Sequence, residues 1–374
     1  MLALLQIVGT VFLDQNGSQR QDPAEPGIPR VAVSNQHEVV LTDEQGRFRL
    51  RTAGTGLAFV SVPDGHRPSG TFWRPADGTP IQFGLLASPR ATTFAFVHGS
   101  DPHVQPSTEN RLLRVKALVD SIRPAFVLMS GDLIKDALRV GEAEATGYYD
   151  LYLKHVGGFG APVWSVPGNH ELFGIERHHS LVSASHPLFD RGMYRRMLGP
   201  DYYSFNYGGV HFVGLNTVDR HDLWYYGHVD STQVAWLAAD LAVLPDSMPV
   251  ITFGHIPLIS TGEALKGFDE AGVAPTTIRI DGRAQFRHTV SNLRDLLALL
   301  WKRPYPLALQ GHTHLREVIR YGIADSLTRF ETAAAIVAGW RDGPIQAVSS
   351  VTVYRVTNGR VSEGTTVPLD PPVR

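Results

Sequence analysis

Two histidines one residue apart, His312 and His314, follow Gly311 where the apolar run Pro306 to Leu309 ends. On extended backbone, alternate side chains point the same way, so both can face one small volume just past a strand's end. Alone, such a pair is as readily surface or core. Its weight comes from other strand ends that finish in the same chemistry. These are Ser100-Asp101-Pro102-His103, Ser130-Gly131-Asp132, Pro167-Gly168-Asn169-His170-Glu171 and Gly254-His255-Ile256-Pro257. In four of the five clusters a glycine stands directly before the polar group. Glycine lets the backbone leave a strand sharply and pass close to a bound ion. Asp, His and Asn combine hard oxygen with borderline nitrogen donors, a mixture suited to Mn, Fe, Zn or Ni rather than calcium.

The elements that must position these groups are strands alternating with helices. From Thr92 onward, Thr93–Val97, Phe126–Met129, Val163–Val166, Val210–Leu215, Val250–Phe253 and Pro306–Leu309 are short β-branched or aromatic runs. Between them, Thr108 is placed to cap a helix with Leu112, Val115, Val119 and Ile122 on one face. Ser231 is placed to cap another, with Val234, Leu237, Leu241 and Leu244 as its stripe, and Asn292–Trp301 is a third, leucine-rich helix. Such alternation predicts an α/β domain whose active groups gather past the carboxyl ends of its strands. Val351–Val356 and Val361–Val367 flank Asn358-Gly359 and predict a closing hairpin.

Residues 1 to 88 read differently. Gln6–Leu13, Arg30–Ser34, Glu38–Thr42, Arg47–Arg51 and Leu57–Val62 are short strands divided by turn residues, the pattern of a small β-sandwich. The Pro- and Gly-rich stretch Pro63 to Ser88 reads as a connection to the domain at 89–374. Between the first two strands, Asp14, Asn16, Ser18, Asp22 and Glu25 fall at loop positions one, three, five, nine and twelve, the spacing of a calcium loop. The glycine is not at the sixth position and strands flank the loop, so a solvated polar loop is the alternative. The module also resembles the β-sandwich domains of bacterial surface proteins, some of which hold calcium there. That likeness suggests an extracytoplasmic location for a chain whose composition reads as soluble and globular.

The ordered series Asp-x-His, Gly-Asp, Gly-Asn-His-Glu, Gly-His and Gly-His-x-His resembles the calcineurin-like metallophosphoesterases, over about Thr92 to Arg320. The resemblance implies an α/β/β/α sandwich with two metals in a cleft, preceded here by the β-sandwich accessory domain. It implies Asp101, His103 and His314 on the first metal, Asn169, His255 and His312 on the second, and Asp132 bridging both. One carboxylate between two cations holds them ~4 Å apart, close enough to share a hydroxide that attacks phosphorus in line. His170 is then expected to stabilise developing charge or protonate the leaving oxygen. Members of the family often place an Asp three residues after the bridging one. Here Lys135 occupies that position and Asp136 the next, which leaves His170 without its expected orienting carboxylate.

The composition narrows the partners. The chain has 374 residues, 43% hydrophobic and 19% charged, with a net charge of -2. That argues against a broad basic surface for nucleic acid. With no cysteines, disulfides, thiolate metal sites and cysteine nucleophiles are excluded. No apolar run is long enough to span a bilayer, and Met1 to Leu13 lacks the basic leader and cleavage site of an export signal. Arg177, Arg195 and Arg196 lie in the stretch between the Gly-Asn-His-Glu motif and Pro200, and are candidate phosphate contacts, with solvated surface charge as the alternative. Trp224 to Tyr226 and Trp340 are candidate pocket walls or aromatic core. His98 and His211 read as packed or supporting residues. No arginine cluster lies within the motifs, which favours a phosphodiester over a dianionic monoester as substrate. A phosphatase, or a surface binding protein led by the β-module, is the alternative.

Overall fold

The computed structural model describes residues 6–370, except 53, 272–274, 324–326 and 343–344. Two six-stranded sheets form its centre. The first runs, edge to edge, Val163–Val166, Phe126–Ser130, Thr93–Gly99, Ser350–Thr357 and Arg360–Val361, with Thr365–Pro368 also paired to Ser350–Thr357. The second runs Tyr203–Tyr207, Val210–Gly214, Val250–Phe253, Leu307–Gln310, Thr328–Thr332 and Val318–Tyr321.

Alternation along the strands decides what lies between the layers. In the first sheet Phe94, Phe96 and Phe126 point inward, and their rings meet Phe205, Tyr207 and Phe212 of the second, with Tyr354 stacked on Phe96. Their neighbours Val97, Val127 and Met129 point the other way. They pack with Leu112, Val115 and Val119 of the helix Glu109–Ile122 and with Tyr149 and Tyr152 of Glu142–Val156. On the far side, Leu237 and Leu241 of Ser231–Ala242 and Leu296 and Leu300 of Leu293–Leu300 share a core with Ile251 and Leu307. The result is the expected four-layer α/β/β/α sandwich.

Two helix starts differ from expectation. Asp230, not Ser231, is the N-cap of Ser231–Ala242, and its carboxylate accepts the Gln233 N–H. The hydroxyl of Thr108 does not cap its helix; it donates to the His103 carbonyl at 3.1 Å and so ties the helix start to the site. The C-terminal hairpin forms at Asn358-Gly359, where both residues have positive φ, 49° and 75°, as such a turn requires. It closes no separate unit: Ser350–Thr357 pairs antiparallel with Thr93–Gly99, the strand that leads to Asp101.

The N-terminal part consists of two four-stranded sheets. The stretch from Pro63 to Ser88 is not a mere connection. It contains the strands His66–Pro68, Trp73–Pro75 and Ile81–Ala87, the last paired in parallel with Ile7–Leu13. Apolar alternation at Ile81, Phe83 and Leu85 carried that signal, but dense Pro and Gly before it obscured the strand.

The calcium expectation for the loop of Asp14, Asn16, Ser18, Asp22 and Glu25 is not supported. Both oxygens of the buried Asp14 carboxylate accept backbone N–H groups, from Gly17 and Ser18 on Oδ1 and from Gln19 on Oδ2. Glu25 likewise accepts the Gln15 and Asp22 amides, and Asn16 donates to Asp22. The oxygens at cation-loop spacing hold the loop's own amides, which is turn chemistry.

This N-terminal part shares one core with the sandwich. Leu57, Phe59 and Val62 belong to the same apolar cluster as Tyr202, Phe205 and Trp236. Polar contacts continue across it. Gln36 donates to Asp201 and to the Tyr202 carbonyl, Tyr202 returns a hydrogen bond to the Gln36 carbonyl, and the Trp236 indole donates to Ser34. Among the described residues no helix is long and apolar enough to cross a membrane.

Candidate active site

The five motif clusters converge at the carboxyl ends of the strands. Five of their polar residues have left-handed backbone: Asp101 (φ 54°), His103 (39°), Asp132 (48°), His312 (70°) and His314 (55°). Non-glycine residues adopt this region at a cost, Asp and His more readily than most, and such residues often cluster at functional sites. Of the glycines before them, only Gly131 has positive φ, 86°. The sharp departure from the strand therefore falls mostly on the polar residues themselves. Gly311 serves close approach instead: a Cβ there would overlap the Ser100 hydroxyl and stand 2.6 Å from Asp101 Oδ2.

Two groups of donors result. In the first, His314 Nε2 is 3.1 Å from Asp101 Oδ1 and 3.2 Å from His103 Nε2. In the second, His255 Nε2 is 3.2 Å from Asn169 Oδ1 and 3.1 Å from His312 Nδ1. Asp132 stands between them. Its Oδ1 lies 3.2 Å from His255 Nε2 and its Oδ2 3.6 Å from His103 Nε2. Asp101, Asp132, Asn169 and His255 are buried, while His103, His170, His312 and His314 are partly exposed, so the site opens over its histidines.

Ring nitrogens and carboxylate oxygens face each other at this range, beside a buried Asp101 Oδ1 with no aligned hydrogen-bond donor. Divalent cations satisfy such a set, and the Asp/Asn/His mixture fits transition metals. The donor atoms of Asp101, His103 and His314, and those of Asp132, His255 and His312, lie close enough to hold one ion each.

The electrostatics follow from burial opposed by partners. Burial alone would raise Asp132, but His255, His170 and His103 hold its carboxyl well below the usual range. Burial would lower His255, yet Asp132 outweighs it and lifts the imidazole to about 9. Burial takes His103 down to about 4, partly offset by Asp132. A ligating imidazole must offer a lone pair. Loading the metal-free protein with Mn²⁺ at pH 7 is therefore expected to release about one proton from His255, a release that falls away as the pH rises through about 9. Calorimetry in two buffers of different ionisation enthalpy counts that proton; equal heats at pH 7 would refute the assignment.

Supporting contacts come from backbone groups and from side chains around the donors. His255 Nδ1 donates to the Ser130 carbonyl at 2.8 Å, and its backbone N–H to Thr217 Oγ1. Glu171 is buried and accepts the Gly168 and Ile134 amides, bracing two motif loops together; burial and Asp132 push it up to about 8. The Trp340 indole donates to the His314 carbonyl at 3.0 Å. His98 reaches Ser130 Oγ at 2.8 Å, and His211 is buried between Asn206 and Asp240. The Tyr225 and His312 rings stand nearly perpendicular, with centroids 6.0 Å apart.

The missing carboxylate beside His170 has a substitute. His170 Nδ1 donates to the Lys135 carbonyl at 2.6 Å, with Asp136 Oδ1 at 4.0 Å, so the residue type at 135 does not matter to the ring's orientation. His170 Nε2 is thereby aimed at Asp132 Oδ2, 3.9 Å away.

The three candidate phosphate-binding arginines have other partners: Arg177 pairs with Asp222, Arg195 with buried Asp201, and Arg196 with Glu142. His178 and His179 lie near Glu176, whose carboxylate is gripped by Arg139. Sequence reasoning missed His288, whose Nδ1 is 2.7 Å from His312 Nε2; it lies between motifs, with no glycine or strand end to mark it. Burial and Arg287 press it down to about 4, so it is a neutral imidazole.

Fold and site together define the metallophosphoesterase class. The chain belongs to the calcineurin-like phosphoesterase family, whose pattern matches residues 94–321. That family comprises hydrolases of phosphoric esters. A 3',5'-cyclic-nucleotide phosphodiesterase of Nostoc sp. is 25% identical over 211 residues, which are 56% of this chain and 63% of that protein. The match thus spans less than two thirds of the relative. Similar solved structures include a dimetal phosphatase from Danio rerio (15% identity, 74% of this chain and 99% of that one, TM-score 0.47). Another is GAP50 of Plasmodium (14%, 75% and 85%, TM-score 0.45).

Proposed function

We propose that this protein is a two-metal phosphodiesterase. The observation that carries the reading is the Asp132 carboxylate, one oxygen of which faces each donor group. Asp101, His103 and His314 would hold one cation, Asn169, His255 and His312 the other, with Asp132 shared between them. Two such cations supply a water of lowered pKa and neutralise phosphoryl oxygens. His170, held through Nδ1, turns Nε2 to the cleft, where it donates to the oxygen that leaves or gains charge. Residues 89–374 form the catalytic unit, with 1–88 as a β-sandwich that braces its second sheet.

A diester is favoured because a monoester dianion needs extra cationic charge, and Arg177, Arg195 and Arg196 are all occupied by carboxylates. The cyclic-nucleotide activity in the name of the Nostoc relative points the same way. The test is hydrolysis of bis-p-nitrophenyl phosphate, p-nitrophenyl phosphate and 3',5'-cyclic AMP after Mn²⁺ loading. Diester turnover at least tenfold above monoester is expected. Preference for the monoester would make the protein a phosphatase, and no turnover of any would leave a binding protein on this fold.

A further inference from the structure

We infer that His288 is a positioning residue of the hydrolytic centre: it fixes the tautomer and ring orientation of His312, so that Nδ1 is the nitrogen offered to the second cation. The inference rests on the two-cation reading above, and concerns a residue outside the five motif clusters.

The argument is one of proton counting. A neutral imidazole has one N–H and one lone pair. His312 Nδ1 is the nitrogen on the donor-group side, 3.1 Å from His255 Nε2, and Nε2 is 2.7 Å from His288 Nδ1. Two ring nitrogens at that distance share one proton. If His312 carries it on Nε2 and donates it, Nδ1 keeps its lone pair for a cation. If His288 Nδ1 were the donor, His312 would hold its proton on Nδ1 and direct it at the cation. Only the first arrangement ligates. Which nitrogen of a ligating histidine is free is commonly set by a partner on the other nitrogen. The two rings are also nearly parallel, 22° apart with centroids at 5.0 Å, so His312 cannot rotate without displacing His288.

His288 is itself held firmly. On one side Arg287 is buried, its guanidinium 4.4 Å from the Tyr225 ring centroid and 4.7 Å from that of Trp224, and it donates to the Pro275 carbonyl at 2.8 Å. On the other, the Val290 amide donates to the Pro257 carbonyl at 2.9 Å, and Ser291 to Gly227 at 2.8 Å. Pro257 lies two residues beyond His255, so the segment that carries His288 is tied to the loop carrying another donor of the same group. Tyr225 closes the pocket, edge-on to His288 at 6.1 Å.

The test compares wild type, His288→Phe and His288→Asn in Mn²⁺ titration calorimetry of the metal-free proteins, with thermal unfolding of each. Phenylalanine keeps a ring but offers no acceptor; asparagine returns an oxygen near the place of Nδ1. Wild type is expected to bind two cations. In His288→Phe one of the two sites weakens by about 10- to 100-fold, the usual effect of losing such a partner, while the other is unchanged. His288→Asn recovers most of that loss. Two sites of wild-type affinity in His288→Phe would overturn the inference and leave the two-cation reading intact. So would equal weakening of both sites with no recovery in His288→Asn, which marks general loosening. Failure of wild type to bind two cations would overturn both.

Discussion

Asp132→Asn is expected to lower turnover of bis-p-nitrophenyl phosphate by roughly a thousandfold or more, about 4 kcal/mol of barrier, and to reduce bound Mn²⁺ from two per chain. The carboxylate puts one oxygen towards each donor group, and its Oδ1 also accepts the His170 amide. An asparagine has one neutral oxygen. Whichever way it turns, one donor group meets an N–H₂ instead. The change also removes the charge that raises His255, so proton release on metal loading should diminish with it. Steady-state kinetics and metal analysis on a variant of unchanged circular dichroism decide the matter. Turnover within tenfold of wild type, with two cations still bound, would remove Asp132 from its bridging place.

The other large effect concerns stability. Trp236 is fully buried, packs against Tyr202 with centroids at 5.0 Å and Phe59 at 6.3 Å, and donates to Ser34. Trp236→Ala is expected to cost about 3–5 kcal/mol through the cavity it leaves, read as a lower midpoint in denaturant. Because Phe59 and Ser34 come from the N-terminal sheets and Tyr202 from the approach to the second central sheet, the whole chain should shift in a single transition. Two transitions, only one of them moved, would show that the N-terminal sheets fold apart from the sandwich. Metal binding at low temperature should persist, since the aromatic and hydrogen-bond partners of Trp236 are Phe59, Tyr202 and Ser34 rather than donor residues.

Much of this was legible in the sequence because it was carried by side-chain type and local period. The strands Phe126–Ser130 and Val250–Phe253 are short apolar runs, and the glycine-led motifs at their ends name their own chemistry. Caps were less legible: Asp230 and Ser231 are both good N-caps, and only the geometry selected the first. Spacing misled at Asp14 and Glu25, because carboxylates placed to bind a cation are equally placed to accept amides of their own turn. Arg177, Arg195 and Arg196 were unreadable for a different reason, since a cation's partner is chosen by what the fold brings near.

The residue order alone therefore carried the strand–helix alternation and the ordered polar motifs at the strand ends, since these depend on residue type and short-range period. The four-layer class and the donor set followed from the resemblance those motifs bear to a family. Only the tertiary structure decided how those donors are held. The Ser130 and Lys135 carbonyls that orient His255 and His170 are backbone atoms every residue possesses, so nothing in the sequence marks them. His288 meets His312 across 24 residues, through a contact made by folding rather than by spacing.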